Sequence, residues 1–203
     1  MYTTRTGLIL GFHGCDKSVV EKVILGKEPL KKSENAHDRL GHGIYFWETA
    51  RPVLWNLPPI YLKDRPERSK APIKNPAVLG AIINLGFTLD LMDYQNLQLV
   101  KQGYDLLSSD NSIPMPQNLP SHKDDELLNR ELDCAVIQTL HTVREETKEQ
   151  SFDSVRGVFW EGGELYPTAG FREKDHIQLS IRNPNCITGF FLPRDLDQNY
   201  AKV

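Results

Sequence analysis

The apolar residues of this chain fall into short runs and into longer segments with helical spacing. The short runs are uniformly apolar or alternate between apolar and polar residues, which is typical of β-strands. They predict strands over residues 7–12, 43–47, 77–86, 155–160, 175–182 and 186–192. The first of these strands would place His13 at its end. Residues 87–93 also alternate, and we expect them to continue the strand over 77–86.

Helical spacing is present in three segments. Ser18 and Glu21 form a capping-box pattern, and Gly26 is a typical stop for the short helix that would follow it. Residues 94–107 carry apolar side chains at helical intervals, and residues 124–150 predict the longest helix. The apolar stripe of this longest helix consists of Leu127, Leu128, Leu132, Val136, Leu140 and Val143.

Four polar or proline-rich segments separate these elements. Residues 27–40 are polar and predict a loop that would lie across a ligand. Residues 49–76 contain six prolines, which exclude a long helix there. Residues 109–123 and the glycine-bearing stretch 161–174 also predict loops.

Composition narrows the class of protein further. A chain of 203 residues with 39% hydrophobic and 25% charged residues fits one globular domain. Its net charge of −3 gives no electrostatic basis for sequence-independent nucleic-acid binding, but it leaves a nucleic acid open as a substrate. The apolar runs are too short to span a membrane, and the N-terminal residues lack the pattern of a signal peptide. Three widely spaced cysteines argue against a disulfide framework or a metal site and favour the cytoplasm.

Two short motifs combine glycine with chemically useful side chains. Residues 11–15 read GFHGC, and residues 41–48 read GHGIYFWE. Glycine has no Cβ, so we expect the backbone at these positions to approach a ligand closely. A histidine in one motif and a tyrosine in the other are suited to grip a flat, polar molecule that carries a sugar.

In this order, the motifs resemble those of the NAD-using ADP-ribosyltransferases of the poly(ADP-ribose)-polymerase and diphtheria-toxin type. Residues 12–14 (Phe-His-Gly) match the first motif of that family, and residues 41–46 (GHGIYF) match the second. The third motif aligns with residues 178–187 and places Gln178 where the family usually has glutamate. Residues 77–93 resemble the strand that follows the second motif in the family.

The resemblance implies a role for each motif residue. His13 would hydrogen-bond a ribose hydroxyl of NAD, the backbone of Gly14 would hold the nicotinamide amide, and Tyr45 would stack on the nicotinamide ring. Gln178 would hydrogen-bond the hydroxyls of the ribose that becomes cationic. Catalysis would therefore rest on His13, Tyr45 and Gln178, and NAD would be the co-substrate, with no metal.

Glutamine at the third position changes the expected reaction. Gln178 donates and accepts hydrogen bonds but supplies no negative charge, which disfavours polymer formation and favours transfer of a single ADP-ribose. Three acids near this position are candidates to replace the missing carboxylate, namely Glu164, Glu173 and Asp175.

The expected fold is α+β, with two packed, mainly antiparallel sheets forming an NAD cleft and helices at the periphery. A single domain would cover residues 1–203, with a helical insertion around 94–150. The expected activity is transfer of ADP-ribose to a protein or nucleic-acid acceptor, selected by the loop 161–174, with release of nicotinamide. By analogy, such an enzyme fits a bacterial or phage effector or toxin, whose partner would be an antitoxin or a chaperone.

Other interpretations of the same residues stay open. The cleft is also compatible with an NAD glycohydrolase or an NAD-dependent RNA phosphotransferase, and with an NAD-binding module that has lost its catalytic carboxylate. In purely structural terms, His13 and Tyr45 would be core residues, and Gln178 would be a solvent-facing or cross-strand residue.

Overall fold

The computed structural model of the protein describes residues 7–49, 73–109, 114–120, 127–194 and 199–200. The strands within these ranges are β1 Ile9–Asp16, β2 Ile44–Trp47, β3 Pro76–Ile83, β4 Thr88–Asp90, β5 Asn118–Pro120, β6 Leu127–Arg130, β7 Ser154–Phe159, β8 His176–Ile181 and β9 Ile187–Phe191. The helices are α1 Lys17–Ile24, α2 Tyr94–Ser109 and α3 Glu131–Glu146, with a 3₁₀ turn at Pro184–Cys186.

Seven of these strands form one sheet in the order β4-β7-β8-β2-β1-β3-β9. Neighbouring strands are antiparallel except β4 and β7, which run parallel. The second sheet is a two-stranded pair of β5 and β6. The expected α+β class with mainly antiparallel strands is therefore confirmed, and the described strands divide into sheets of seven and two strands.

Two hydrophobic clusters pack against the strands. The first contains Phe46 of β2 and two residues of α1, Val20 and Val23. The second contains Ile137 and Leu140 of α3. Tyr45, the residue before Phe46, packs against this second cluster. Because successive side chains of a strand point to opposite faces, α1 and α3 cover opposite sides of β2.

The first strand is longer than its apolar run predicts. Residues His13 to Asp16 continue β1 because they pair with Leu79 to Pro76 of β3. His13 therefore lies within the strand rather than at its end. The predicted capping position is also wrong, since Asp16 caps α1 by accepting a hydrogen bond from the Ser18 backbone N–H at 3.0 Å. The predicted end of this helix agrees with Gly26, which has a φ of 65°.

The longest predicted helix begins later than expected. Residues 127–130 form β6, and α3 starts only at Glu131. The side-chain oxygen of Asn118, from β5, accepts hydrogen bonds from the backbone N–H groups of Leu132 (3.0 Å) and Asp133 (3.2 Å). This contact satisfies the first turn of α3 and fixes its start. Strand β5, which carries Asn118, lies in the region 109–123 that was predicted to be a loop.

Residues 88–90 do not continue β3. They form β4 at the opposite edge of the seven-stranded sheet, where Thr88 to Asp90 pair with Ser154 to Arg156 of β7. Gly86 has a φ of 63°, in the left-handed region that suits a change of chain direction. The Phe87 backbone N–H donates to the Asp153 carboxylate at 2.9 Å, which fixes the turn beside β7.

The structure describes two of the predicted regions, 49–76 and 94–150, only in part. Most of the proline-rich stretch 49–76 lies outside the described residues. Helices α2 and α3 fall in the region predicted to carry a helical insertion.

None of the helices within the described ranges has the length and hydropathy needed to cross a lipid bilayer.

Candidate active site at the junction of three strands

A pocket of about 350 Å³ lies where β1, β2 and β8 meet. His13, Tyr45 and Gln178, the three residues expected to be catalytic, all line this pocket. Its other walls come from β2 and from the loop before it, through Ser33, Asn35, His37, Asp38, Arg39, Phe46 and Trp47. The loop expected to lie across a ligand therefore forms one side of the pocket.

Strand pairing explains why the three residues are close. Strands β1, β2 and β8 are neighbours in the sheet. Trp47 pairs with Gln178 on one side and with Phe12 on the other. The Phe12–Trp47 pair is the single register position shared by β1 and β2. His13 comes directly after it, where the ladder between these two strands has ended.

The imidazole of His13 occupies this end of the ladder. Its Nδ1 lies 2.8 Å from the carbonyl oxygen of Tyr45. A carbonyl only accepts hydrogen bonds, so Nδ1 carries the proton, and Nε2 of the neutral ring is an acceptor. Burial lowers the pKa of His13, and the hydrogen bond to Tyr45 offsets part of this effect. The ring is therefore neutral at pH 7 and able to accept a hydrogen bond from a hydroxyl.

The hydroxyl of Tyr45 is occupied by the protein itself. It donates to the carbonyl of Gly41 at 2.8 Å and accepts from the backbone N–H of Leu40 at 2.9 Å. Burial raises the pKa of Tyr45 well above its ordinary value. The phenol is thus held away from proton transfer at neutral pH, and Tyr45 lines the pocket with its hydroxyl already bonded within the protein.

Gln178 makes a hydrogen bond along its own strand. Its side-chain nitrogen lies 2.9 Å from Nε2 of His176, two residues earlier on the same face of β8. The alternation of residues 175–182 is the sequence signal that puts both side chains on one face of the strand.

The loop wall contains a carboxylate that sequence reasoning missed. Ser33 and Gly43 close the loop with two backbone hydrogen bonds of 2.8 and 3.1 Å. Within it, the carboxylate of Asp38 accepts hydrogen bonds from the Ser33 hydroxyl and the Asn35 backbone N–H, both at 2.9 Å. Asp38 is 8% exposed. These contacts hold a negative charge in the wall of the pocket.

Arg39 links this wall to the loop over residues 161–174. Its guanidinium forms an ion pair with Glu161, and both side chains are largely buried. The same guanidinium lies 4.7 Å from the ring centroid of Phe159 at the end of β7. Arg39 and Glu161 are 122 positions apart in the sequence, so no local pattern indicated the pair.

The glycines of the second motif pack closely against neighbouring elements. Gly41 has a φ of 71°, and a Cβ there would lie 2.8 Å from the side-chain oxygen of Gln138 on α3. A Cβ on Gly43 would overlap the Ser180 hydroxyl of β8. Both positions therefore require glycine because the chain passes close to α3 and β8. The expectation that the backbone approaches a ligand at these positions stays a prediction.

The three acids proposed to replace the missing glutamate do not line the pocket. Glu164 accepts a hydrogen bond from the Thr168 backbone N–H at 2.9 Å, and Asp175 accepts one from the Arg172 backbone N–H at 3.0 Å. Their carboxylates organise the loop.

Gly14 follows His13 on β1 and pairs with Val78 of β3. It is likewise not a lining residue of the pocket.

No protein-family model, curated protein or solved structure matches this chain. Within the described ranges, no group of three or more His, Cys, Asp or Glu residues is arranged to hold a metal ion.

Proposed function

We propose that the protein is an NAD-dependent mono-ADP-ribosyltransferase with an ADP-ribosyltransferase-like fold. The observation that carries the proposal is that His13, Tyr45 and Gln178 line one pocket, although they come from three strands and span most of the chain. The pocket volume of about 350 Å³ lies within the range of about 300–1,000 Å³ for ligand sites. It is suited to the nicotinamide and its ribose.

The hydrogen bonds within the pocket agree with the assigned roles. Nε2 of neutral His13 is an acceptor and fits a ribose hydroxyl. The hydroxyl of Tyr45 is held by Leu40 and Gly41, which fixes the ring as a platform for nicotinamide. Ring stacking on a fixed aromatic side chain orients the leaving group without spending binding energy on ordering that side chain.

In the proposed reaction, the bond between the ribose C1 and the nicotinamide nitrogen breaks. The electron pair leaves with nicotinamide, and positive charge develops on the ribose. A nucleophile of the acceptor then bonds to C1 and loses its proton to water. Gln178 hydrogen-bonds the ribose hydroxyls, and Asp38 supplies the negative charge in the pocket wall that favours a cationic ribose.

The acceptor is a macromolecule, either protein or nucleic acid. The loop 161–174 begins at Glu161, which is bound to Arg39 of the pocket wall. Three large apolar side chains of this loop are exposed, Leu165, Tyr166 and Phe171. An ordered loop with exposed apolar groups beside the pocket is a suitable place for acceptor selection.

The test is incubation of the purified protein with NAD labelled in its adenylate phosphate, in the presence of protein, RNA or DNA. Label on a macromolecule, with an equal amount of released nicotinamide, is the expected result. Free ADP-ribose as the sole labelled product would instead identify a glycohydrolase, and phosphate transfer from RNA an RNA phosphotransferase. Bound but uncleaved NAD would identify a binding module.

The His13→Ala variant is the control for this assay, because contaminating activities do not depend on His13. Its label transfer should be at least tenfold lower than that of the wild type, by loss of a ribose hydrogen bond. Failure of the wild type to bind or cleave NAD would overturn the proposal.

A further inference from the structure

His176 and Gln178 form a pair of hydrogen-bonded side chains on one face of β8. The distance between Nε2 of His176 and Nε2 of Gln178 is 2.9 Å. His176 is 7% exposed, whereas Gln178 lines the pocket. The pair therefore connects a buried ring to a side chain at the candidate site.

The backbone fixes which atom of this pair donates. Nδ1 of His176 lies 2.7 Å from the carbonyl oxygen of Lys174. Since a carbonyl only accepts, Nδ1 carries a proton, and in the tautomer with one ring proton Nε2 is an acceptor. The group facing Nε2 must then donate, which assigns it as the amide nitrogen of Gln178. The amide oxygen lies on the other side of the same planar group.

Aromatic packing holds the ring of His176 in place. The ring of Phe159 lies 5.7 Å from that of His176, measured between centroids. Phe159 is itself contacted by the guanidinium groups of Arg39 and Arg130, at 4.7 and 5.0 Å from its centroid. A ring confined in this way, with a backbone hydrogen bond at Nδ1, presents Nε2 in a fixed direction.

We propose that His176 is a positioning residue that holds the Gln178 amide with its oxygen toward the pocket. In this orientation Gln178 presents only an acceptor to the ribose hydroxyls of NAD, as one oxygen of a carboxylate would. The ribose part of this inference rests on the proposed function. The resemblance implies glutamate at this position, and a carboxylate needs no orientation because its two oxygens are equivalent. An amide does need one, and His176 supplies it.

A double-mutant cycle tests this role. In the wild-type background, His176→Leu should lower the rate of nicotinamide release about tenfold, because the amide is free to turn its nitrogen to the pocket. In the Gln178→Glu background, the same substitution should leave the rate within about twofold or raise it, because the carboxylate has no wrong orientation. Equal losses in both backgrounds would assign His176 a purely structural role and overturn the proposal.

A conservative variant separates the hydrogen bond from the packing of the ring. The side-chain oxygen of His176→Gln reaches the place of the imidazole Nε2 and accepts from Gln178. This variant should recover most of the rate lost in His176→Leu. A rate as low as that of His176→Leu, in a variant that unfolds at the same urea concentration as the wild type, would contradict the proposal.

Nitrogen NMR of the free protein tests the orientation without NAD. The chain has six histidines, and the signal missing from His176→Leu assigns His176. Its ring should carry a proton on Nδ1 and none on Nε2. A proton on Nε2 would overturn the inference even if NAD is cleaved. The expected tautomer in a protein that does not bind NAD would overturn the proposed function and leave the orientation of Gln178 standing.

Discussion

Nδ1 of His13 donates a hydrogen bond of 2.8 Å to the carbonyl oxygen of Tyr45, and this bond joins the two glycine motifs of the chain. It lies just beyond Phe12–Trp47, the single position at which β1 and β2 pair. The imidazole thus supplies a hydrogen-bond donor to a backbone carbonyl that lies beyond the paired residues of β1 and β2. His13 therefore has a structural function at Nδ1 and a proposed binding function at Nε2, and substitutions can separate them.

His13→Ala should impair both functions. It removes the donor to a partly buried carbonyl, which should lower the free energy of unfolding by about 1–3 kcal/mol. It also removes the proposed acceptor for the ribose hydroxyl, so the affinity for NAD should fall at least tenfold. Urea unfolding and calorimetric titration with NAD measure the two effects.

His13→Asn is the matched variant, because an asparagine amide can donate at the place of Nδ1 but has no atom at the place of Nε2. It should regain most of the lost stability and remain weak in NAD binding. If it binds NAD as the wild type does, Nε2 has no part in binding, and the assignment of His13 is wrong.

Tyr45 also combines a structural hydroxyl with a proposed binding surface. Tyr45→Phe leaves the Leu40 N–H and the Gly41 carbonyl without the phenol and should cost about 1–3 kcal/mol of stability. Because the ring is retained, NAD affinity should change less than about threefold. Tyr45→Ala removes the ring and should lower the affinity more than tenfold. An equal loss of affinity in both variants would indicate that the hydroxyl, not the ring, serves the ligand.

Sequence patterns predicted those elements whose signal is local. The alternation of residues 175–182 predicts β8, which spans His176–Ile181 in the structure. The start of α3 was not predictable in this way, because Leu127 continues the apolar stripe of the helix. The helix instead begins at Glu131, because the side chain of Asn118, which belongs to a separate strand, caps its N-terminus.

The site divides along the same line. His13, Tyr45 and Gln178 line the candidate pocket, and the sequence indicates each of them because each lies in a short motif. Asp38 was missed because its carboxylate is defined by contacts inside an irregular loop. Arg39 was missed because its partner, Glu161, is distant in the sequence. Long-range ion pairs leave no period or spacing that a single sequence reveals.

The stability of the protein should fall as the pH is lowered, and His141 contributes to this fall. Its ring is 2% exposed, and both of its nitrogens lack a hydrogen-bond partner among the described residues. Burial, together with the nearby charges of Arg182 and Arg144, lowers the pKa of His141 from 6.5 to about 3. Between these values the unfolded state binds a proton that the folded state does not, so protons favour unfolding.

The variant His141→Leu removes this dependence and keeps an apolar side chain of similar size. Between about pH 6 and pH 4, the wild type should lose stability faster than the variant, by up to about 1.4 kcal/mol per pH unit. Urea unfolding across this range measures the difference, in which the carboxylates common to both proteins cancel. Parallel curves would show that His141 titrates alike in the folded and unfolded states.

The Arg39–Glu161 ion pair should be strongly coupled, because both side chains are largely buried, with exposures of 12% and 9%. Arg39→Leu removes a hydrogen-bonded cation from the largely buried Glu161 carboxylate and should cost about 1–3 kcal/mol. Replacing both residues by leucine should cost less than the sum of the two single replacements, since neither charge then remains. Urea unfolding of the four proteins gives the coupling energy.

The pair Lys101–Asp105 is the control, because its side chains are 68% and 57% exposed. Lys101→Ala should change stability by less than about 1 kcal/mol. Strict additivity of the Arg39 and Glu161 substitutions would mean that the pair does not hold the pocket wall to the loop 161–174.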